Sequence, residues 1–232
     1  MNFDMKTIAE LMKNLSENRP IFHSEDDFKF AFGQQVIEHF SENPDIEIRF
    51  EKPEDIVYVN RIGEEIEPKR VYFDLIIQIE GNLIPIEFKY KTKKITPCII
   101  NDECFSLLDQ GARDRVRFEF RKDIFRIEYL VNSQKCEDIK KGFSIFLTND
   151  EKYWTQKRGG NTLDANYRFA DVIIRKDSGW NNHKIDRNEN HWTRNGMYNY
   201  KLNLTKQHDV KWCCYSVINN CKFKCMIIEC VC

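Results

Sequence analysis

The stretch FDLIIQIEGNLIPIEFKY, residues 73–90, limits what this chain can fold into more than any other. Two isoleucine-rich runs flank a glycine turn signal, and apolar runs of that length around such a turn read as a β-hairpin. The same stretch carries three charges that a core does not want: Asp74, Glu87 and Lys89. With Gly81–Asn82 as a two-residue turn of type I′ or II′, Glu80 opposes Leu83 and Asp74 falls opposite Lys89. Glu87 lies two residues along the same face, because side chains alternate along a strand. Ile84, Ile86 and Phe88 then point the other way, into the core. The charges converge on one patch, either a solvated hairpin face with a Glu–Lys pair or a working site. Two carboxylates held side by side repel unless a positive charge lies between them. Oxygen ligands with open water positions suit Mg²⁺ or Mn²⁺.

The flanking sequence supplies a frame. Phe3, Ile8, Leu11, Met12 and Leu15 recur near helical spacing, and Asn18–Pro20 stops that helix. Ser24 followed by Asp27 is an acidic variant of the capping box and starts a second helix to about residue 41, with Phe28, Phe32, Val36 and Phe40 along one side. IEIRFEK (46–52) alternates as a half-buried strand, and 53–69 is a charged connection around Gly63. After the hairpin, 102–132 reads as a long helical region in which Phe120, Ile124, Ile127 and Val131 keep strict spacing. GFSIFLTND (142–150) is a short apolar strand, and KWCCYSVI with KFKCMIIEC form a closing strand pair. The expected class is α/β, with an αβββαβ core over residues 1–155. A mixed sheet flanked by helices is expected there, and residues 156–232 form a C-terminal β-rich elaboration packed on it as one domain.

Composition narrows the function classes. A 232-residue chain with 41% apolar residues can bury one sizeable core. It has no apolar run of bilayer length and no basic-then-apolar leader, so the expected setting is cytoplasmic, without a membrane partner. The net charge is only −1, yet residues 1–56 hold thirteen acids against six bases while 152–211 hold twelve bases against six acids. Such a split suits a protein with a phosphate-binding side, although an uneven surface produces it too. Six of the nine cysteines fall in the last twenty residues without a CxxC pair, which fits reduced, packed thiols better than a disulfide framework. A zinc site among them is the weaker reading.

Asp74, then Glu87-Phe88-Lys89 on the next strand of an αβββαβ order, resembles the PD-(D/E)XK nuclease superfamily, which includes restriction endonucleases. HSEDDFKFAF adds Glu25 at the start of the preceding helix, where many members carry a further acid. CFSLLDQGARDRVRFEFRKDIFRIEYLV supplies a glutamine and a basic helix, and GFSIFLTND the closing core strand. With Tyr153–Trp154, these blocks look like a group of bacterial members with no assigned activity. The resemblance covers residues 20–155, and Phe73 departs from it by replacing the proline before the first acid.

The resemblance implies a Mg²⁺- or Mn²⁺-dependent endonuclease that hydrolyses phosphodiester bonds of DNA in bacterial restriction, defence or repair. Asp74, Glu87 and the Phe88 carbonyl would hold the metal. Glu25 would complete a second site or hold it through water. Lys89 would orient the attacking water or stabilise developing charge. The rival readings are a nuclease-fold module that binds nucleic acid or protein without cutting, and an RNA-directed nuclease. A homodimer or partner protein is compatible with either. Lys91 and Lys93 alternate onto one face and could track a phosphate backbone or guard an edge strand. Gln110, Arg113 and Arg117 could meet phosphates or pair locally with Asp109, Asp114 and Glu119. His183, Asn190 and His191 match a His-Asn-His site only faintly. The Asn- and aromatic-rich segment 178–200, with Trp180, Trp192, Tyr198, Tyr200, Arg187 and Arg194, is expected to border the Asp74/Glu87 cleft and contact the substrate, although its rings could equally pack a long loop.

Overall fold

Ser24 caps the helix that its sequence position announces, its hydroxyl accepting the Asp27 amide at 3.0 Å. From there a computed structural model describes the chain over residues 3–43, 45–60, 62–133, 138–156, 162–170, 173–176 and 200–232. In chain order the elements are α1 (Met5–Asn18), α2 (Glu25–His39), β1 (Glu47–Ile56), β2 (Lys69–Ile79), β3 (Asn82–Lys91), β4 (Cys98–Ile100), β5 (Glu103–Phe105) and α3 (Arg113–Val131). There follow β6 (Lys141–Thr148), α4 (Lys152–Thr155), a 3₁₀ turn at Ala165–Tyr167, β7 (Ile173–Ile174), β8 (His208–Asp209), β9 (Trp212–Ile218) and β10 (Cys221–Val231).

Six strands form one mixed sheet in the order β1-β2-β3-β6-β10-β9. Only β3 and β6 run parallel, and a parallel pair needs a crossover, which α3 provides. Helices α1 and α2 cover one face with Leu11, Phe28, Phe32, Leu75, Ile86, Phe88 and Ile145 in a single buried cluster. Helix α3 covers the other face, where Phe120, Ile124 and Ile127 pack with Phe146, Met226 and Ile228. Gly142 allows that helix to come close. A Cβ there would lie 2.5 Å from Ile127 Cγ2 and 2.7 Å from the Pro85 carbonyl.

Three sequence expectations change. The hairpin turn is Glu80–Gly81, at φ 49° and 77°, and not Gly81–Asn82, because Ile79 pairs with Asn82. Asn82 closes the turn from the first position of β3, its side-chain amide donating to the Glu80 carbonyl at 3.2 Å. Each strand moves by one residue, an even total, so Glu87 and Lys89 keep their shared face, while Asp74 falls level with Glu87 and not with Lys89. The helical region read as 102–132 begins only at Arg113; before it, Asn101 and Asp102 take left-handed backbone (φ 49° and 64°) and turn β4 into β5. Within the C-terminal part, β10 pairs with β6 and extends the main sheet. The six C-terminal cysteines are also not uniformly core. Cys225 and Cys230 are buried, while Cys213, Cys214 and Cys232 are exposed and Cys221 lies between; the eight described cysteines are free.

Candidate active site

The β2–β3 ladder runs to Leu75 and Ile86, and at that point side chains take over from backbone pairing. Asp74 Oδ2 accepts the Phe88 amide at 2.8 Å, and the Asp74 amide donates to Glu87 Oε2 at 3.4 Å. The residue across from Asp74 on β1 is Glu51, whose left-handed backbone (φ 52°) drops out of the pairing between Phe50–Leu75 and Lys52–Phe73. The alternation of β2 slips here as well. Leu75, Ile77 and Ile79 pack under α1 and α2, whereas Val71 and Phe73 join the α3 side. A local break of this kind re-aims a side chain. Here it leaves Asp74 between the two helical layers.

Helix α2 reaches the break from one side. Glu25, its first residue, accepts the Tyr90 amide at 2.7 Å and lies 3.4 Å from Lys89 Nζ and 3.7 Å from Lys91 Nζ. One turn on, Lys29 pairs with Asp26, Glu51 and Asp74, the last at 3.5 Å. Helix α3 closes the other side. Arg126 donates to Glu87 Oε1 at 3.1 Å, and Asp123 lies 3.4 Å from Lys89. The hairpin face is therefore roofed and not solvated: Glu87 is 3% exposed. Asp74 and Glu25, with side chains 21% and 31% exposed, form the open side.

Roofing shifts the proton equilibria of Glu87, Asp74 and Lys89 toward the protonated form, for different reasons. Burial, reinforced by the charge of Asp123 and Asp74 against the pull of Arg126, pushes the Glu87 carboxyl well up. Burial also raises Asp74, with Asp123 adding to it, although the Phe88 amide and the cations Lys89 and Lys29 oppose the change. Burial works against charge on Lys89, but Asp123, Glu25 and Asp74 outweigh it and keep the amine protonated. Asp123 Oδ2 is buried and meets Lys89 only as an ion pair at 3.4 Å, without a well-directed hydrogen bond. Asp74, Glu87, Glu25 and Asp123 thus crowd their oxygens into one place with Lys29, Lys89, Lys91 and Arg126 balancing them, and an oxygen-preferring divalent cation would compete with those pairs.

Strand spacing accounts for Asp74, Glu87 and Lys89 lying together, Glu25 stands beside Lys89 where the resemblance implies a further acid, and Phe88 meets Asp74 through its amide. Lys91 joins them through Glu25. Lys93 is anchored by its backbone amide to Asn149 Oδ1 at 2.7 Å. Gln110 sits in the loop before α3, tied to Thr92 in both directions. Arg113 pairs with Asp150 and with Asp109. Arg117 is a correction: it is 2% exposed, bonded to Asp164, Gln156 and the Lys152 carbonyl, and has no surface to offer a phosphate. Arg187, Arg194, His183, Asn190, His191, Trp180, Trp192 and Tyr198 lie outside the described residues.

Sequence reasoning missed Lys29, Asp123 and Arg126. Lys29 is four residues after Glu25, hence on the same helix face. Asp123 and Arg126 border the apolar stripe of α3 on one side, with Arg117, Arg121 and Glu128 on the other. Charges placed beside a buried stripe, not opposite it, were the available signal. The chain matches no protein-family model, no curated protein and no solved structure. Among the described residues no helix is long and apolar enough to cross a membrane.

Proposed function

We propose that the chain is a Mg²⁺- or Mn²⁺-dependent nuclease of the PD-(D/E)XK type, cutting phosphodiester bonds of DNA. The observation that carries this reading is the meeting of Asp74, Glu87, Lys89 and Glu25 at the end of one hairpin, against the first turn of α2. The order α2-β1-β2-β3-α3-β6, with α3 crossing between parallel strands, supports it.

Asp74 and Glu87 would hold the ion, with Glu25 on the open side. When bound, a divalent ion polarises a phosphoryl oxygen and supplies a nucleophile at neutral pH. Lys89, kept cationic between Glu25 and Asp123, is suited to stabilise charge developing on phosphate and not to take a proton. Lys29 and Arg126 already neutralise the two acids, so a cation entering the site must loosen those pairs. Tyr200 stacks on Tyr58 with centroids 4.3 Å apart, and the Tyr58 hydroxyl accepts from Arg126 at 3.2 Å. Tyr200, the last residue of the 178–200 segment, is thereby linked to the candidate site, and a substrate-facing role for the segment is part of this proposal.

One observation favours the non-cutting alternative: Glu87 is buried and already engaged by Arg126. The test is incubation of the full chain with mixed DNA and, separately, RNA, in Mg²⁺ or Mn²⁺. The nuclease reading expects metal-dependent cleavage that Asp74→Asn and Lys89→Met reduce by about 100-fold or more. Binding of nucleic acid with no cleavage in either metal would select the alternative.

A further inference from the structure

The opposite flank of α3 carries a second cluster, unconnected with the proposed cleavage site. Glu128 of α3, His208 of β8 and Cys230 of β10 each place a ligand atom within 4.8 Å of the others. All three residues are buried. His208 Nε2 lies 2.7 Å from Glu128 Oε1, and Glu128 Oε2 accepts the Thr205 amide at 2.6 Å. Cys230 Sγ is 4.0 Å from the Ile124 carbonyl, at the outer limit of contact for sulfur.

We propose that Glu128, His208 and Cys230 form a zinc site that fastens the C-terminal strands to α3. Carboxylate, imidazole and thiol are the oxygen, nitrogen and sulfur donors from which zinc sites are assembled, whereas Mg²⁺ takes oxygen alone. A buried hydrogen bond between Glu128 and His208 accounts for two of the groups, and the Cys230 thiol is packed beside them with the Ile124 carbonyl 4.0 Å from its sulfur. A cleft of about 300 Å³ opens against Glu128, bordered by Asn132, Ser133, Asn203 and Thr205. Of the three donors only Glu128 lines it, and three protein ligands would leave zinc one further position to fill. The donors come from three separate elements, so no short sequence motif announces them. Binding would couple closure of β8 and β10 onto α3 to the metal.

The full-length protein, reduced and freed of metal by chelation, is titrated with Co²⁺ as a spectroscopic stand-in. One equivalent should give a thiolate-to-cobalt charge-transfer band that Zn²⁺ displaces, and Zn²⁺ should raise Tm. Cys230→Ser should abolish the band with circular dichroism unchanged, and His208→Gln should weaken Co²⁺ binding by about tenfold or more. If Cys230→Ser does not fold, the His208→Gln titration decides alone. No band in the wild type, or a band that survives Cys230→Ser through the exposed Cys213, Cys214 or Cys232, overturns the proposal. None of these readouts depends on cleavage, so failure here is separate from failure of the nuclease reading.

Discussion

The amide of Asp74 points at the carboxylate of Glu87, 3.4 Å away, while the Asp74 carboxylate takes the amide of Phe88 at 2.8 Å. Two acids that repel are thus laced together across the end of a hairpin, with Lys29 behind one and Arg126 behind the other. A fold gains nothing by burying them, since both carboxyls are pushed up and their ionised forms are disfavoured inside. Such an arrangement costs stability, as the proposed cleavage site would require.

The first prediction follows from that sign. A carboxyl raised in the folded state lends stability while protonated and loses it as pH climbs through the raised value. The metal-free protein should therefore lose stability as pH rises from about 4, the ordinary carboxyl range. Asp74→Asn and Glu87→Gln should flatten this decline and raise Tm at neutral pH. Mg²⁺ should raise Tm of the wild type and leave both variants unmoved. Thermal melts across pH, with and without Mg²⁺, check it; variants that melt lower and still respond to Mg²⁺ would count against the site.

Lys29 stands where a bound cation would compete with it. Lys29→Met removes a charge shared by Asp26, Glu51 and Asp74. Because the carboxylates of Asp26 and Glu51 still reach water, the cost should be on the order of 1–2 kcal/mol, below that of a fully buried pair. The Mg²⁺-induced rise in Tm should be larger in Lys29→Met than in the wild type, since the ion then supplies the missing charge. An equal or smaller rise would place the metal away from Asp74.

A third expectation concerns alkaline pH. Lys122 lies 5.2 Å and 5.3 Å from the ring centroids of Tyr58 and Tyr200, and burial with Arg126 near by pushes its amine down to about 8. A depressed lysine charges more readily in the unfolded chain, so stability should rise with pH between about 8 and about 10.4. Lys122→Met should abolish that rise and stabilise the neutral-pH protein by on the order of 3 kcal/mol at most. Urea titrations at pH 7 and pH 9.5, chosen as roughly either side of the shift, test both halves.

Half of the candidate site was legible because its signals are local. Strand alternation puts Asp74, Glu87 and Lys89 on one face, and an even register error cannot undo that. The Ser24 cap then places Glu25 at the start of α2. What stayed hidden depends on docking. Asp123 and Arg126 matter only because α3 crosses β3 at close range, over Gly142, and no spacing within the helix states which partner lies beneath it. Arg117 misled for the same reason: by spacing alone it belongs to a basic helix face, and its partner Asp164 is 47 residues away. The β4–β5 hairpin was missed because left-handed backbone at Asn101 and Asp102, and not hydrophobic pattern, decides it.

Arg117 gives the sharpest test of structure against sequence. Its guanidinium holds Asp164, Gln156 and the Lys152 carbonyl in one place, behind the Tyr153 ring at 5.2 Å. Asp164 is itself buried, so removing the cation leaves a carboxylate with only Arg168, at 3.8 Å, among the described cations near it. Breaking a buried pair from one side typically costs about 3–5 kcal/mol. Arg117→Met should therefore lower the urea midpoint sharply without changing DNA affinity per folded molecule or its salt slope. Lys91→Met, on the half-exposed side by Glu25, should do the reverse: leave the midpoint nearly unchanged and weaken binding with a shallower salt slope. If Arg117→Met instead kept its stability and lost affinity, the arginine would be a phosphate contact after all, and the packing of residues 162–170 on α3 would need another origin.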